Sequence, residues 1–120
     1  MRGKFLEKRK HPRLNLRIPM RYRKIQTNIE ELKGSLIKNI SEGGMMINAY
    51  EFLSLNSRLV MEIPLVSGIK SLEGTCRVAW IKKAGFSEQY DAGVEFTHLN
   101  QEDKNRISKF IFNKNVEQIL

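Results

Sequence analysis

"RLNLRIPMRYR", residues 13–23, decides the fold class. Leu14, Leu16, Ile18, Met20 and Tyr22 alternate with Arg13, Asn15, Arg17, Pro19, Arg21 and Arg23. Successive side chains of a strand point to opposite faces, so a period of two sorts the apolar set onto one face and the polar set onto the other. A helix would scatter both sets around its circumference. The stretch reads as a half-buried strand with a cationic outer face. Pro19 has no N–H to donate, which places it at an edge or a bulge.

The same reading extends down the chain. "SLIKNI" (35–40), "MMINAY" (45–50), "RLVMEIP" (58–64), "LEGTCRVAW" (72–80) and "YDAGVEF" (90–96) are the next strands. Leu59, Met61 and Ile63 share one face of the fourth. Leu72, Gly74, Cys76, Val78 and Trp80 share one of the fifth, and Ala92, Val94 and Phe96 one of the sixth. Polar or Gly- and Ser-containing connections ("TNIEELKG", "SEGG", "SGIKS", "KKAGFSEQ") separate most of them. Six short strands so joined predict an antiparallel sandwich or barrel, and closure into a barrel removes exposed edges. The tail changes period. Asn100 suits a cap, Glu102 and Asp103 fall in the first turn, and Ile107, Phe110 and Ile111 recur at three and four. That predicts one helix from about Gln101 to Asn113, covering an open end of the barrel. The expected organisation is a basic arm over 1–12, a barrel over 13–99, and a helix and tail over 100–120 belonging to the same domain.

Charge is unevenly placed. Residues 1–24 hold six Arg and four Lys against one Glu, a balance of +9, and the remaining eleven bases and twelve acids give −1, for +8 in all. A concentrated basic patch suits a small anionic ligand, an acidic partner or a basic arm. A duplex-binding domain spreads its charge along a face instead. Single-stranded nucleic-acid binding would want aromatics among the outward arginines, and Tyr22 has the inward parity. The composition therefore argues against nucleic acid as the partner.

Other classes are excluded more simply. The lone Cys76 allows no internal disulfide, and with His11 and His98 it makes no metal-ligand spacing, so no metal or cofactor is expected. No Ser/His/Asp, Cys/His or paired-carboxylate arrangement suggests an enzyme. No apolar run would insert in a membrane, and the basic N-terminus lacks the apolar segment of a signal peptide. A cytoplasmic location is expected. Cys76, Trp80 and Phe96 are read as core, and His11 as a spacer.

Two short motifs carry chemistry. "RKHPR", residues 9–13, sets Arg9 and Arg13 four apart. Read alone, it is a solvated terminus whose arginines keep the protein soluble. As a site, each arginine fork matches guanine O6 and N7 or two phosphate oxygens, and its plane stacks on a purine. "NISEGG", residues 39–44, is by itself a hairpin turn in which Gly43 and Gly44 would supply positive φ. As a site, Asn39 and Ser41 share a parity and present an amide oxygen and a hydroxyl. Gly44 would leave room for a ligand.

"EKRKHPR", "NISEGG" and "YDAGVEF", in this order and spacing, resemble the PilZ domain, the receptor module for the bacterial second messenger cyclic di-GMP. The family's Arg-x-x-x-Arg corresponds to Arg9 and Arg13, its [Asp/Asn]-x-Ser-x-x-Gly to Asn39, Ser41 and Gly44, and its Gly-[Val/Ile]-x-Phe to Gly93, Val94 and Phe96. The resemblance covers about residues 5–112. It implies a mainly all-β fold, a six-stranded antiparallel barrel with a C-terminal α-helix. It also implies a cyclic di-GMP site at Arg9, Arg13, Asn39, Ser41 and Gly44, with Lys8, Lys10 and Gly43 as adjoining candidates. Asn39 stands where many members have Asp, Lys8 stands where arginine is frequent, and Glu42 brings an anion into the motif. With no catalytic domain in the chain, the output would be contact with a downstream protein, through ligand-induced ordering of the arginine segment. The alternatives are an interaction adaptor of the same fold with weak or no nucleotide binding, and a small barrel for single-stranded nucleic acid.

Overall fold

A computed structural model of the chain describes residues 14–25, 32–65 and 68–119. Six strands are followed by one helix: β1 (Leu14–Lys24), β2 (Lys33–Ile40), β3 (Gly44–Ala49), β4 (Arg58–Ile63), β5 (Leu72–Lys83), β6 (Tyr90–His98) and α1 (Gln101–Ile119). The strands close into an antiparallel barrel in the order β1-β2-β3-β6-β5-β4, with β4 returning to β1. This is the fold class expected from the alternating patterns. β5 is long enough to pair with β4 through Leu72–Arg77 and with β6 through Thr75–Lys83, and so seals two seams.

The core follows the inward sets. Met20, Tyr22, Ile37, Ile40, Met45, Ile47, Leu59, Met61, Ile63, Leu72, Cys76, Val78, Ala92 and Val94 are buried, with Leu16, Ile18, Ile81 and Phe96 packed against them. At about 25 cal/mol per Å² of apolar surface removed from water, this interior is the main stabilising term. α1 adds Ile107, which is fully buried, and the half-buried Phe110 and Ile111. Asn100 caps it, its Oδ1 accepting from the Asp103 N–H at 2.7 Å. The helix runs to Ile119 rather than ending near Asn113. No Gly or Pro follows Gln101 to break it, and Asn113 and Asn115 cost too little helix propensity to end it.

The strands depart from strict alternation at bulges, and one of these changes an expectation. Ile37 pairs with Ile47 but Asn39 with Met46, so β2 carries an extra residue at Lys38. Ile37 and Ile40, three apart, therefore both point into the core. Val78 pairs with Val94 but Trp80 with Gly93, which puts an extra residue, Ala79, into β5. From there on the parity is reversed: Ile81 packs inward and Trp80 faces out. Trp80 is thus not a core residue.

One end of the barrel carries the β2–β3 turn, the β4–β5 connection and α1. The opposite end carries the β3–β4 loop and the β5–β6 hairpin. Near that opposite end the buried Tyr22 hydroxyl donates to Glu51 Oε2 at 2.5 Å, and Lys33 and Lys24 reach Glu51 Oε1 at 3.0 and 3.5 Å. Burial, and then the adjoining Glu51 carboxylate, push the Tyr22 phenol well above its ordinary range. Burial would also raise Glu51, but the Tyr22 hydrogen bond and the two lysines outweigh it and hold the carboxyl below its usual value. No helix among the described residues is long and apolar enough to cross a membrane.

Candidate functional site

Arg9 and Arg13, with Lys8 and Lys10, lie outside the described residues. Leu14, the residue after Arg13, pairs with Ile40, so the chain enters β1 directly beside the β2–β3 turn. The start of β1 and the β2–β3 turn are neighbours in space because β1 and β2 are antiparallel partners.

The turn itself is built by Ser41. Its N–H donates to the Gly44 carbonyl at 2.8 Å, its hydroxyl lies 3.3 Å from the same oxygen, and its Oγ accepts from the Gly43 N–H at 3.3 Å. The side chain is buried inside the turn it shapes rather than displayed beside Asn39. Neither Gly43 nor Gly44 has positive φ; the described glycines that do are Gly68 and Gly85. Gly44 is needed for another reason. A Cβ there would lie 2.2 Å from the Val94 carbonyl oxygen and 3.2 Å from Glu95 Cα, so its hydrogen lets β3 close on β6. The clearance expected for a ligand is used, in this structure, by a strand. Glu42 turns away to α1 and accepts from the Ser108 hydroxyl at 2.5 Å, leaving the strand side of the turn without that anion.

Asn39 is half-buried, with Nδ2 3.8 Å from Met46 Sδ. Its register leads across the barrel wall: Asn15 pairs with Asn39, Asn39 with Met46, Met46 with Gly93, and Gly93 with Trp80. Five strands thus contribute to one row. Where side chains are described, the row faces outward. Gly93 makes it shallow, because a Cβ there would lie 2.0 Å from Trp80 Nε1 and 2.4 Å from Cε2; the indole lies flat over the glycine. Trp80 stays 40 % exposed, enough to offer its other ring face. Below the row, Arg77 forms an ion pair with Glu95. Above it, Lys38 Nζ and Asn48 Nδ2 each reach Asp91 Oδ1 at 3.2 Å.

The wall is therefore a shallow, mixed polar and aromatic surface, bounded by the turn and by the point where the basic segment joins. It offers a ring to stack on, an amide to read a base edge and nearby cations for phosphates. It offers no nucleophile–base pair. No cluster of His, Cys, Asp and Glu suited to a metal occurs among the described residues. Cys76 is buried in the core, and burial pushes its thiol up to about 12, which makes it inert. The sequence reading missed Trp80, whose outward position depends on the bulge at Ala79. The signal it did contain is Gly93, a glycine within a strand, which marks close approach of another group.

Comparison with known proteins agrees with the architecture. The structure resembles the inhibitor of motility MotI/DgrA from Bacillus subtilis, at TM-score 0.76 and 19 % identity over 93 % of this chain and 53 % of that one. It resembles MrkH from K. pneumonia in complex with c-di-GMP, at TM-score 0.72 and 20 % identity over 94 % and 55 %. It also resembles the PilZ domain of YcgR from Escherichia coli with c-di-GMP, at TM-score 0.71 and 15 % identity over 93 % and 95 %. The chain spans about half the length of the MotI and MrkH chains. A comparison with curated proteins returned no significant match. The sequence matches the profile of the PilZ domain over residues 7–113, nearly its whole length, and with the closed six-stranded barrel this shows that the chain belongs to the PilZ domain family.

Proposed function

We propose that this chain is a receptor domain for cyclic di-GMP, acting in the cytoplasm and passing the signal to a downstream protein. The observation that carries the reading is the register row from Asn39 to Trp80, ending beside the entry of the arginine segment. One guanine stacks on the exposed face of Trp80. Asn39 accepts from the edge of a guanine through its amide oxygen. Ser41 acts with the turn backbone it holds, and Gly43 and Gly44 keep that turn low. Arg9 and Arg13, aided by Lys8 and Lys10, bring forks and charge to phosphates and guanine O6 and N7.

In this reading residues 1–12 form an arm to the barrel of residues 13–99, with 100–120 as its helix and tail. The nucleotide joins that arm, whose five bases against one acid give +4, to the wall and partly neutralises it, making a new surface for the partner. Fixing a handful of residues costs about 1–2 kcal/mol each, so the affinity is modest, on the order of micromolar. Two solved structures similar to this one are described as holding c-di-GMP, which supports the ligand class.

Calorimetric titration with cyclic di-GMP, GTP and a short oligonucleotide tests the assignment. Saturable binding of cyclic di-GMP alone is expected, and Arg9→Ala or Arg13→Ala should each weaken it about ten-fold or more, the loss of a charge-assisted hydrogen bond. Unchanged binding in both variants would remove the site. Amide hydrogen exchange tests the arm. Protection should rise at residues 8–14 and 39–44 but not at Val78–Ile81, and equal exchange with and without ligand would rule out ordering.

A further inference from the structure

Asp91 is an outward-facing residue of β6 that is nevertheless 8 % exposed. Its Oδ1 receives both Lys38 Nζ and Asn48 Nδ2 at 3.2 Å, while its Oδ2 receives no hydrogen bond among the described residues. The Asp91 side chain keeps 11 % of its surface exposed, so an oxygen without a protein donor there is open to a donor from outside. Asp91 precedes Gly93 by two residues on the same face, about 7 Å along the strand. That distance is about one ring system plus one hydrogen bond from the spot where Trp80 lies over Gly93. Lys82 pairs with Asp91 across the ladder and closes the same side of the wall.

We infer that Asp91 reads the base stacked on Trp80, its Oδ2 accepting from the N1–H of guanine, with Lys38 and Asn48 as positioning residues that hold the other oxygen. This rests on the nucleotide reading above and adds a base-selecting residue to it. The selectivity follows from donor and acceptor sense. Guanine offers a donor at N1, whereas adenine offers an acceptor there, so a carboxylate oxygen accepts from the first and repels the second.

The test compares cyclic di-GMP with cyclic di-AMP on wild-type protein, Asp91→Asn and Lys38→Met, with thermal melts as a folding control. In Asp91→Asn, the donors Lys38 and Asn48 keep the amide oxygen inward and leave the amide N–H facing the base. The variant should lose about ten-fold or more in affinity for cyclic di-GMP and none for cyclic di-AMP, so that the guanine preference collapses. Lys38→Met keeps the carboxylate but releases its held oxygen, leaving only Asn48 on it, and should lower the guanine preference part of the way. Equal loss for both nucleotides in Asp91→Asn, no change for either, or a full preference in Lys38→Met would overturn the inference while leaving the receptor reading intact. Wild-type protein that binds neither nucleotide would refute the receptor reading, and this inference with it.

Discussion

Replacing Gly44 with alanine separates a packing role from a ligand role at the most motif-like position in the chain. The added Cβ would sit 2.2 Å from the Val94 carbonyl oxygen, where ordinary contact begins near 3.4 Å. The obstacle is backbone on both sides, so no side chain can rotate away, and β3 and β6 must part by about 1 Å. That movement disturbs the Gly44–Glu95 register and the bond from the Phe96 N–H to the Gly43 carbonyl, now 3.0 Å. Overpacking of this kind costs about 1–3 kcal/mol, and weakened ladder hydrogen bonds add about 1 kcal/mol, for a total of about 2–4 kcal/mol. With an unfolding entropy of about 2.1 cal/mol/K per residue, a chain of 120 residues should melt about 8–16 °C lower. Circular dichroism melts without nucleotide measure this directly. Gly34→Ala is the control, since a Cβ there meets nothing within 4 Å and Gly34 has ordinary φ. It should leave the melting temperature unchanged or slightly raised. If Gly44→Ala melts within about 2 °C of wild type, the close approach of β3 and β6 is not what requires the glycine, and the ligand-clearance explanation regains its place.

Trp80 is the sole tryptophan, so its emission reports on the barrel wall. Cyclic di-GMP should quench it, and Trp80→Ala should weaken binding about five-fold or more, on the scale of base–aromatic stacking, with little change in melting. Quenching that is absent at saturating ligand would place the base elsewhere. Cys76 should react with a thiol reagent at pH 8 only at the rate of unfolding, because burial lifts its pKa to about 12; fast labelling of folded protein would contradict the buried position. Tyr22→Phe should cost about 1 kcal/mol through the lost bond to Glu51 and alter the alkaline limb of stability. The phenol is raised above its ordinary 10.0, so its contribution is complete below that pH and is lost as the pH rises further. A wild-type-minus-variant difference that is flat from pH 9 to 11.5 would show that the phenol is not held neutral by the fold.

Much of the fold was legible because burial on one face imposes a period. The alternation from Leu14 to Tyr22, the apolar sets of the later strands and the shift to a spacing of three and four after Asn100 all express which side chains leave water. The capping pattern at Asn100, Glu102 and Asp103 located the start of α1, since helix ends need partners for free N–H groups. Chain order alone brings the start of β1 beside the "NISEGG" turn at the end of β2, because consecutive strands pair antiparallel. A change of register is beyond the reach of periodicity. The extra residues at Lys38 and Ala79 exist only relative to the partner strand, and each reverses the facing of the residues after it. For that reason Trp80 reads as core and stands outside; the surroundings of Asp91 arise only where Lys38 and Asn48, from two other strands, converge on it. Gly44 and Ser41 likewise carried the right residue types, but only the β3–β6 pairing and the closed turn reveal that one makes room for a strand and the other holds a backbone. A sequence states which side chains must be buried; which strands meet, and where one residue too many has to bulge, is decided by closing the barrel.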